Sequence, residues 1–307
     1  MGNETVLYFN LTMFIMIGNV RYLAFAFCLL TYALIVFSNV TMIWIITQER
    51  SLHEPMYIFI AFLSVNSLYG SAGFFPRFLM DLLSDVHLIS YAACYSQIYV
   101  IYTYATYEVT ILSIMAYDRC IAVCQPLHYS RKLTPKTVCA LSVFAWVFPA
   151  FNLSVTIIML VRIPLCGNNV QKVYCASWNI VKLSCVSNFN NNTVAMMWVV
   201  LLMTVSSGFI LYTYARIVIA CWRKTLNVRG KVVQSCLPHL ISFMVYIITS
   251  FSDTVLSRQN VEEINPFLAV ILSIGFVIIP PALNPFIYGL KLPEIRRQII
   301  RILRLKH

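Results

Sequence analysis

The chain has 307 residues, of which 60% are hydrophobic and only 11% charged, with a mean hydropathy of +0.78. A soluble domain carries about half apolar and about a quarter charged residues, so this balance excludes one and points to a polytopic membrane protein. The net charge of +11 raises nucleic acid as a partner, but the placement of the charges assigns them to topology instead.

The first 22 residues carry the glycosylation sequons Asn3-Glu4-Thr5 and Asn10-Leu11-Thr12, which matter only where they face the secretory lumen. No basic leader with a small-residue cleavage site precedes the first apolar run, so that run is expected to serve as its own signal anchor. Apolar runs follow at roughly 23–47, 56–80, 91–123, 138–162, 194–222, 234–257 and 266–290, each long enough to cross a bilayer. An odd number of crossings puts the two ends on opposite sides. Arg21, Arg77, Arg162, Lys172, Lys182 and Arg258 then lie on one side, and the other sixteen of the 22 Lys and Arg on the other. Loops rich in Lys and Arg stay cytoplasmic. The expectation is one receptor-sized bundle over 1–307, with 1–22 extracellular, 291–307 a cytoplasmic tail, and no nucleic-acid partner. Asn191 opens a third outer sequon, whereas those at Asn39 and Asn152 fall inside spans.

The third run is apolar and aromatic from Tyr99 to Ala116, with Glu108 as its one carboxylate, and it ends on Asp118-Arg119. Pro126 forbids helix continuation soon after. A charged pair at the water edge of a bundle can close on itself in one state and be offered to a partner in another, which makes a switch and not a catalytic site. The plainer alternative for Arg119 is a snorkelling boundary residue. Glu108 is a functional candidate because ionisable groups inside a span are expensive; Ser67 and Asn39 are the other polar residues expected to be buried, and Asn39, Ser113 and Asn284 are the polar contacts expected for Glu108. Tyr102, Ala105, Thr106 and Val109 share one face of the same helix, suiting a ligand wall or ordinary packing equally.

An outer loop of roughly 30 residues separates the fourth and fifth runs, long enough to be functional or cross-linked. It holds Cys166, Cys175 and Cys185, and with Cys94 it makes four cysteines in an oxidising compartment, for which three pairings exist. Cys28, Cys120, Cys124, Cys139, Cys221 and Cys236 are expected to be packing residues. Pro238 marks a kink in the sixth run. In the seventh, Pro280, Pro281 and Pro285 free backbone carbonyls that Asn284 can satisfy, so the helix changes shape there at low cost. Beyond Pro293, Ile295, Ile299, Ile302 and Leu303 alternate with Arg296, Arg297, Arg301 and Arg304, which predicts a short basic amphipathic helix on the inner leaflet.

Met115-Ala116-Tyr117-Asp118-Arg119, followed by Ile121-Ala122-Val123-Cys124 and Pro126-Leu127-His128-Tyr129, resembles the third-helix signature of vertebrate odorant receptors, a branch of the rhodopsin-like G protein-coupled receptors. Leu52-His53-Glu54-Pro55-Met56-Tyr57 is similar to their second-helix opening, Lys231 to Leu240 to their sixth-helix start, and Pro280 to Tyr288 to their seventh-helix motif. Cys120 departs from the usual Tyr and Ser67 from the usual Asp, while Leu68 to Gly73 is closest to the fish-like variety.

The resemblance implies an all-α seven-transmembrane bundle with a short cytoplasmic helix, no enzymatic activity, no cofactor and no metal. It implies a G-protein switch of Asp118, Arg119, Tyr214, His239, Asn284, Pro285 and Tyr288, coupled to a stimulatory heterotrimeric G protein of the olfactory kind. It places a small-molecule odorant against Tyr102, Ala105, Thr106, Trp198, Val199, Leu202, Ser250, Thr254, Ile274 and Val277, and it pairs Cys94 with Cys175 and Cys166 with Cys185. Relatives can hold sodium between two acids; Ser67 leaves Glu108 alone, which favours a protonated or hydrogen-bonded carboxyl over the ion. Ile101 stands where amine receptors carry an Asp, which argues against a biogenic amine. The rival readings are a receptor for a non-odorant metabolite and a small transporter. The transporter would show paired broken helices in an internal repeat, and no repeat is found.

Overall fold

A computed structural model describes residues 8–185, 189–222, 224–257 and 266–305; the side chains of 15, 16, 19, 189–199, 266, 267 and 302–305 lie outside that description. The sequons at Asn3 and Asn191 and the expected ligand contacts Trp198 and Val199 therefore fall outside the described side chains. In chain order the helices are α1 (Arg21–Gln48), α2 (Pro55–Leu83), α3 (Tyr91–Cys124), α4 (Tyr129–Lys132), α5 (Pro135–Val161), α6 (Ser177–Val181), α7 (Phe189–Trp222), α8 (Leu226–Leu256), α9 (Pro266–Lys291) and α10 (Pro293–Leu305). Among the described residues seven of these, α1, α2, α3, α5, α7, α8 and α9, are long and apolar enough to cross a membrane. Helices are the expected answer, because hydrocarbon offers no partner to a backbone N–H or C=O and a helix satisfies both within itself.

The helix ends follow from local chemistry. Pro55 and Pro135 occupy first-turn positions of α2 and α5, where a missing N–H costs nothing. Ser90 caps α3 by accepting from the Ala93 amide, and Thr134 caps α5 by accepting from Thr137, each meeting one of the donors a helix start leaves open. α8 begins at Leu226, eight residues before the apolar run at 234, since the more polar stretch from Leu226 to Val233 is helical as well.

α3 runs through the middle of the bundle and is buried around most of its circumference, whereas α1 and α5 keep a broad outward apolar face. A helix apolar on every side belongs in the core of a bundle. α2 lies close against it because Gly70 and Gly73 bare its backbone: a Cβ added at Gly70 would meet the Tyr104 ring at 2.5 Å, and one at Gly73 would strike Val100. Small residues at such spacing let spanning helices approach.

The all-α expectation needs one addition. β1 (Tyr8–Leu11) pairs antiparallel with β2 (Leu88–Ser90) and parallel with β3 (Asn169–Val170). The sheet's apolar residues Phe9, Leu11, Ile89 and Val170 are buried, so it caps one end of the bundle. Strands this short carry no periodic signal that separates them from loop. Cys94 is bonded to Cys175 and Cys166 to Cys185, which ties the α5–α7 loop to the start of α3. Asn10 is the middle of β1 and its amide donates to Asn169 Oδ1 at 3.4 Å.

Candidate functional site

Below the sheet and the cross-linked loop lies a cavity of about 330 Å³. Its wall is drawn from α3 (Tyr102, Ala105, Thr106), α5 (Leu153, Thr156, Leu160), α6 (Ser177, Trp178), α7 (Val200, Met203, Thr204) and α8 (Ser250, Asp253, Thr254). Of the side chains expected there, Tyr102, Ala105, Thr106, Ser250 and Thr254 line it. Leu202, Ile274 and Val277 do not. Val277 is fully buried in the apolar core and Ile274 packs against the same core, so that of α9 it is Phe276 that reaches the cavity wall.

The contribution of α5 and the loop was not legible in the sequence, and neither was Asp253. Lys172 from the loop and Asp253 from α8 form an ion pair at 2.5 Å, with side-chain exposures of 3% and 13%. The Tyr174 hydroxyl donates to the same Asp253 Oδ1 at 3.0 Å and accepts from Lys172 Nζ at 2.9 Å. Burial pulls the Lys172 ammonium below its ordinary value, opposed by the Asp253 charge. A carboxylate 81 residues from its lysine leaves no local pattern to read.

Beneath the cavity a series of polar contacts descends along α3. Tyr246 of α8 donates its hydroxyl to the carbonyl of Ala105, itself a cavity residue, at 2.8 Å. Three residues on, Glu108 is fully buried and accepts from Asn66 Nδ2 at 2.8 Å and from Asn284 Nδ2 at 2.8 Å. Asn66 also donates to the Tyr104 carbonyl at 3.1 Å. Of the contacts expected for Glu108, Asn284 is made and Asn66 takes the place of the others; Asn39 and Ser67 are buried as expected but bond elsewhere. Asn39 instead donates to the carbonyl of Pro281, one of those freed by the prolines of α9, at 3.0 Å. Ser67 and Ser113 return their protons to Leu63 and Val109 in their own helices. Asn66, one position before Ser67, is turned by about 100° around α2, and that rotation brings it and not Ser67 to Glu108.

One turn further down, His239 of α8 lies buried between two helices, with Nε2 2.8 Å from the carbonyl of Leu112 and Nδ1 2.7 Å from the Tyr214 hydroxyl of α7. A carbonyl only accepts, so Nε2 carries the proton and Nδ1 accepts from Tyr214. Tyr288 of α9 is fully buried at this level.

At the end of α3, Arg119 donates from Nε and Nη2 to Asp118 Oδ2 at 2.8 and 2.5 Å, and Tyr129 of α4 donates to Oδ1 at 2.8 Å. Both oxygens of the carboxylate are taken. Asp118 is buried and the Arg119 side chain is 14% exposed, a shielded pair unlike the solvated head of a snorkelling residue. Burial, followed by the Asp118 charge, pushes the Tyr129 phenol above its ordinary value, so it remains a donor. Arg119 is 14 residues beyond Ala105, about 21 Å along the helix axis, and the contacts between them link α3 to α2, α7, α8 and α9. Among the described residues no group of three His, Cys, Asp or Glu converges to hold a metal.

A family model described as olfactory receptor matches residues 27–306. Olfactory receptor 51E1 of Homo sapiens is 30% identical over 308 residues, covering 98% of this chain and 95% of that protein. Olfactory receptor 1468 of Rattus norvegicus is 30% identical over 288 residues, covering 92% and 90%. In three dimensions squid rhodopsin superposes with a TM-score of 0.75 over 93% of this chain and 86% of its own, at 17% identity, a likeness of fold.

Proposed function

Since the chain belongs to the olfactory receptor family and is an odorant receptor, we propose that a small organic ligand in the cavity between α3, α5, α7 and α8 sets the state of the Asp118–Arg119 pair, and thereby the activity of a stimulatory, olfactory-type G protein. The protein is a multi-pass membrane protein; we place its amino terminus outside, on the charge asymmetry of its loops, and α10 on the inner leaflet. The observation that carries the proposal is the series of contacts along α3: inter-helix hydrogen bonds at Ala105, Glu108 and Leu112, and at its end the Asp118–Arg119 pair joined by Tyr129 of α4.

The mechanism follows from what each contact holds. Tyr246 and His239 fasten α8 to α3 at two heights, through Ala105 and Leu112. For the inner end of α8 to swing outwards, the His239–Leu112 bond must break. A ligand touching Ala105 and Ser250 acts next to the upper fastening. It shifts the balance only by binding one arrangement more tightly than the other; a change from 1:99 to 99:1 needs about 10⁴-fold preference. Opening the inner end and parting Arg119 from Asp118 would free a guanidinium for the carboxyl-terminal helix of the G protein.

The test is cyclic AMP in cells carrying the olfactory-type stimulatory G protein, exposed to a broad odorant panel with surface staining recorded. A dose-dependent rise that is lost in Arg119→Ala, with surface delivery kept, is the expected result. Normal signalling by Arg119→Ala overturns the role of the pair.

A further inference from the structure

We propose that the cavity is loaded sideways from the bilayer, through a gap between the outer halves of α7 and α8, so that the ligands it takes are neutral molecules soluble in hydrocarbon. The inference rests on the cavity being the ligand site, as above, and adds the route and with it the ligand class.

The outer end is roofed. Tyr174, Cys175 and Ala176 of the α5–α7 loop and Ile180 of α6 are buried. Cys175 is bonded to Cys94 of α3, and its amide donates to Gln97 Oε1 at 3.0 Å. Lys172 and Tyr174 fasten the same loop to Asp253 of α8. The side wall is different. Among the described lining residues none from α3, α6 or α9 is exposed, whereas Met159 of α5, Val200 and Thr204 of α7, and Phe251 and Thr254 of α8 are. A side chain in the wall of an enclosed cavity is covered on its outer side; Val200, 48% exposed, and Phe251, 68% exposed, are not.

The phase of the two helices sets four of these residues on facing edges. On α7 the buried Ile210 and Ile217 mark the inward direction. Tyr214, about 40° round from Ile210 at about 100° per residue, reaches α8 at the Cys236 carbonyl and His239. Val200 and Thr204 lie about 80° and about 120° round in the same sense. On α8, Tyr246 points inward to the Ala105 carbonyl, and Cys236, on the side that Tyr214 meets, is about 80° round from it. Thr254 and Phe251 lie about 80° and about 140° round in that same sense. Met159 faces no such row. Further in, the two edges are joined, by the Tyr246 hydroxyl on Met203 Sδ at 3.3 Å and by Tyr214 on Cys236 and His239. The gap therefore lies outward of Met203, at the level of the cavity.

Its rim suits hydrocarbon. The Thr204 and Thr254 hydroxyls donate to the carbonyls of Val200 and Ser250 in their own helices, at 2.9 and 2.8 Å, so neither brings an unpaired donor to lipid. Leu153, Leu160, Met203 and Phe276 continue the apolar surface inside. A solute on this route leaves water for acyl chains before it meets the receptor, and a charge carried there is costly. Ammonium and carboxylate ligands are turned away at the gap, while neutral ones are concentrated in the bilayer according to their apolar surface.

The experiment uses the full-length receptor in phosphatidylcholine nanodiscs, with Thr106→Cys on the α3 wall as reporter and Leu153→Cys on the α5 wall as a second, should the first fail to fold. Peptide mass spectrometry separates their adducts from those on native cysteines. Two probes carry the same maleimide, one at the end of a phospholipid acyl chain and confined to the bilayer, the other on a neutral oligosaccharide and confined to water. The lipid probe should label the reporter at least about tenfold faster than the oligosaccharide probe, a barrier difference of about 1.4 kcal/mol. Val200→Trp and Thr254→Trp, at the rim, should each slow the lipid probe several-fold. Leu201→Trp, at an exposed neighbour outside the cavity wall, should not. The inference is overturned if the lipid probe labels neither reporter, if the oligosaccharide probe labels as fast, or if both rim tryptophans leave the rate unchanged. Labelling needs no signalling, so bilayer labelling of a receptor that gives no cyclic AMP response would sink the signalling proposal and leave this one standing; a cyclic AMP response without bilayer labelling would do the reverse.

Discussion

Asn284 donates its side-chain amide to Glu108 at 2.8 Å, so the proline-weakened stretch of α9 is fastened to the middle of α3. Asn66 holds the other carboxylate oxygen, and one buried acid thereby joins three helices. Breaking one such bond while leaving the acid buried costs about 1–3 kcal/mol. Asn284→Leu and Asn66→Leu are each expected to lower the melting temperature of the purified receptor, and Asn284→Leu to change agonist-independent cyclic AMP as well, since it alone frees α9. Unchanged melting in both would mean that Glu108 is held by something else.

The same two amides turn N–H groups towards Glu108, which repels a cation. Replacing sodium by potassium at constant ionic strength should therefore leave the melting temperature where it is. A rise specific to sodium, abolished by Glu108→Gln, would instead place the ion against this acid and require both amides to turn their oxygens inward.

Tyr129 joins the Asp118–Arg119 pair, donating to the Asp118 oxygen that Arg119 does not use. Tyr129→Phe removes one hydrogen bond from the closed arrangement only. With the phenol half-buried, about 1 kcal/mol is a fair measure, enough for a several-fold rise in basal cyclic AMP. Because Tyr129 is held above its ordinary value, its donor proton is present below and through the usual tyrosine range, and the basal signal should not vary with cytoplasmic pH near neutrality through this group. Basal activity equal to wild type would remove Tyr129 from the latch.

Gly70 faces the Tyr104 ring, and Tyr104 is itself fixed by a hydrogen bond to the Phe276 carbonyl at 3.2 Å. A methyl placed 2.5 Å from that ring forces it to move. Gly70→Ala should destabilise by about 1–3 kcal/mol, the usual cost of overpacking, visible as a lower melting temperature and less surface staining. Tolerance of alanine would show that α2 and α3 have room to part.

The Lys172–Asp253 pair should behave as a buried ion pair does. Removing either partner alone, as Lys172→Met or Asp253→Leu, leaves an uncompensated charge and costs about 3 kcal/mol, whereas the double replacement recovers most of it. Burial lowers the folded-state affinity of Lys172 for its proton, so the folded chain binds fewer protons than the unfolded one between the two values. Stability contributed through this group rises with pH in that window. Additive losses in the double variant would contradict the pairing, and a fall in that window that Lys172→Met removes would show that the Asp253 charge outweighs burial at Lys172.

The sequence by itself determined the membrane class, the number of spans and the motif-bearing residues. Hydrocarbon imposes its demands locally: each span must be long, apolar and helical, and those demands are written into the residues of the span. Asp118-Arg119 was legible for the same reason, being adjacent in the chain and placed where an apolar run ends. What the sequence did not determine is how each helix is rotated and what it meets. α3 is apolar on nearly every side, so its pattern names no preferred face. Only the packed bundle chose Asn66 over Asn39 and Ser113 for Glu108, turned Ile274 and Val277 into the core, brought α5 to the cavity wall, and set Lys172 against Asp253. Those choices depend on surfaces far apart in the chain fitting together, through Gly70 against Tyr104 and a loop drawn in by Cys94–Cys175, and no local pattern encodes them.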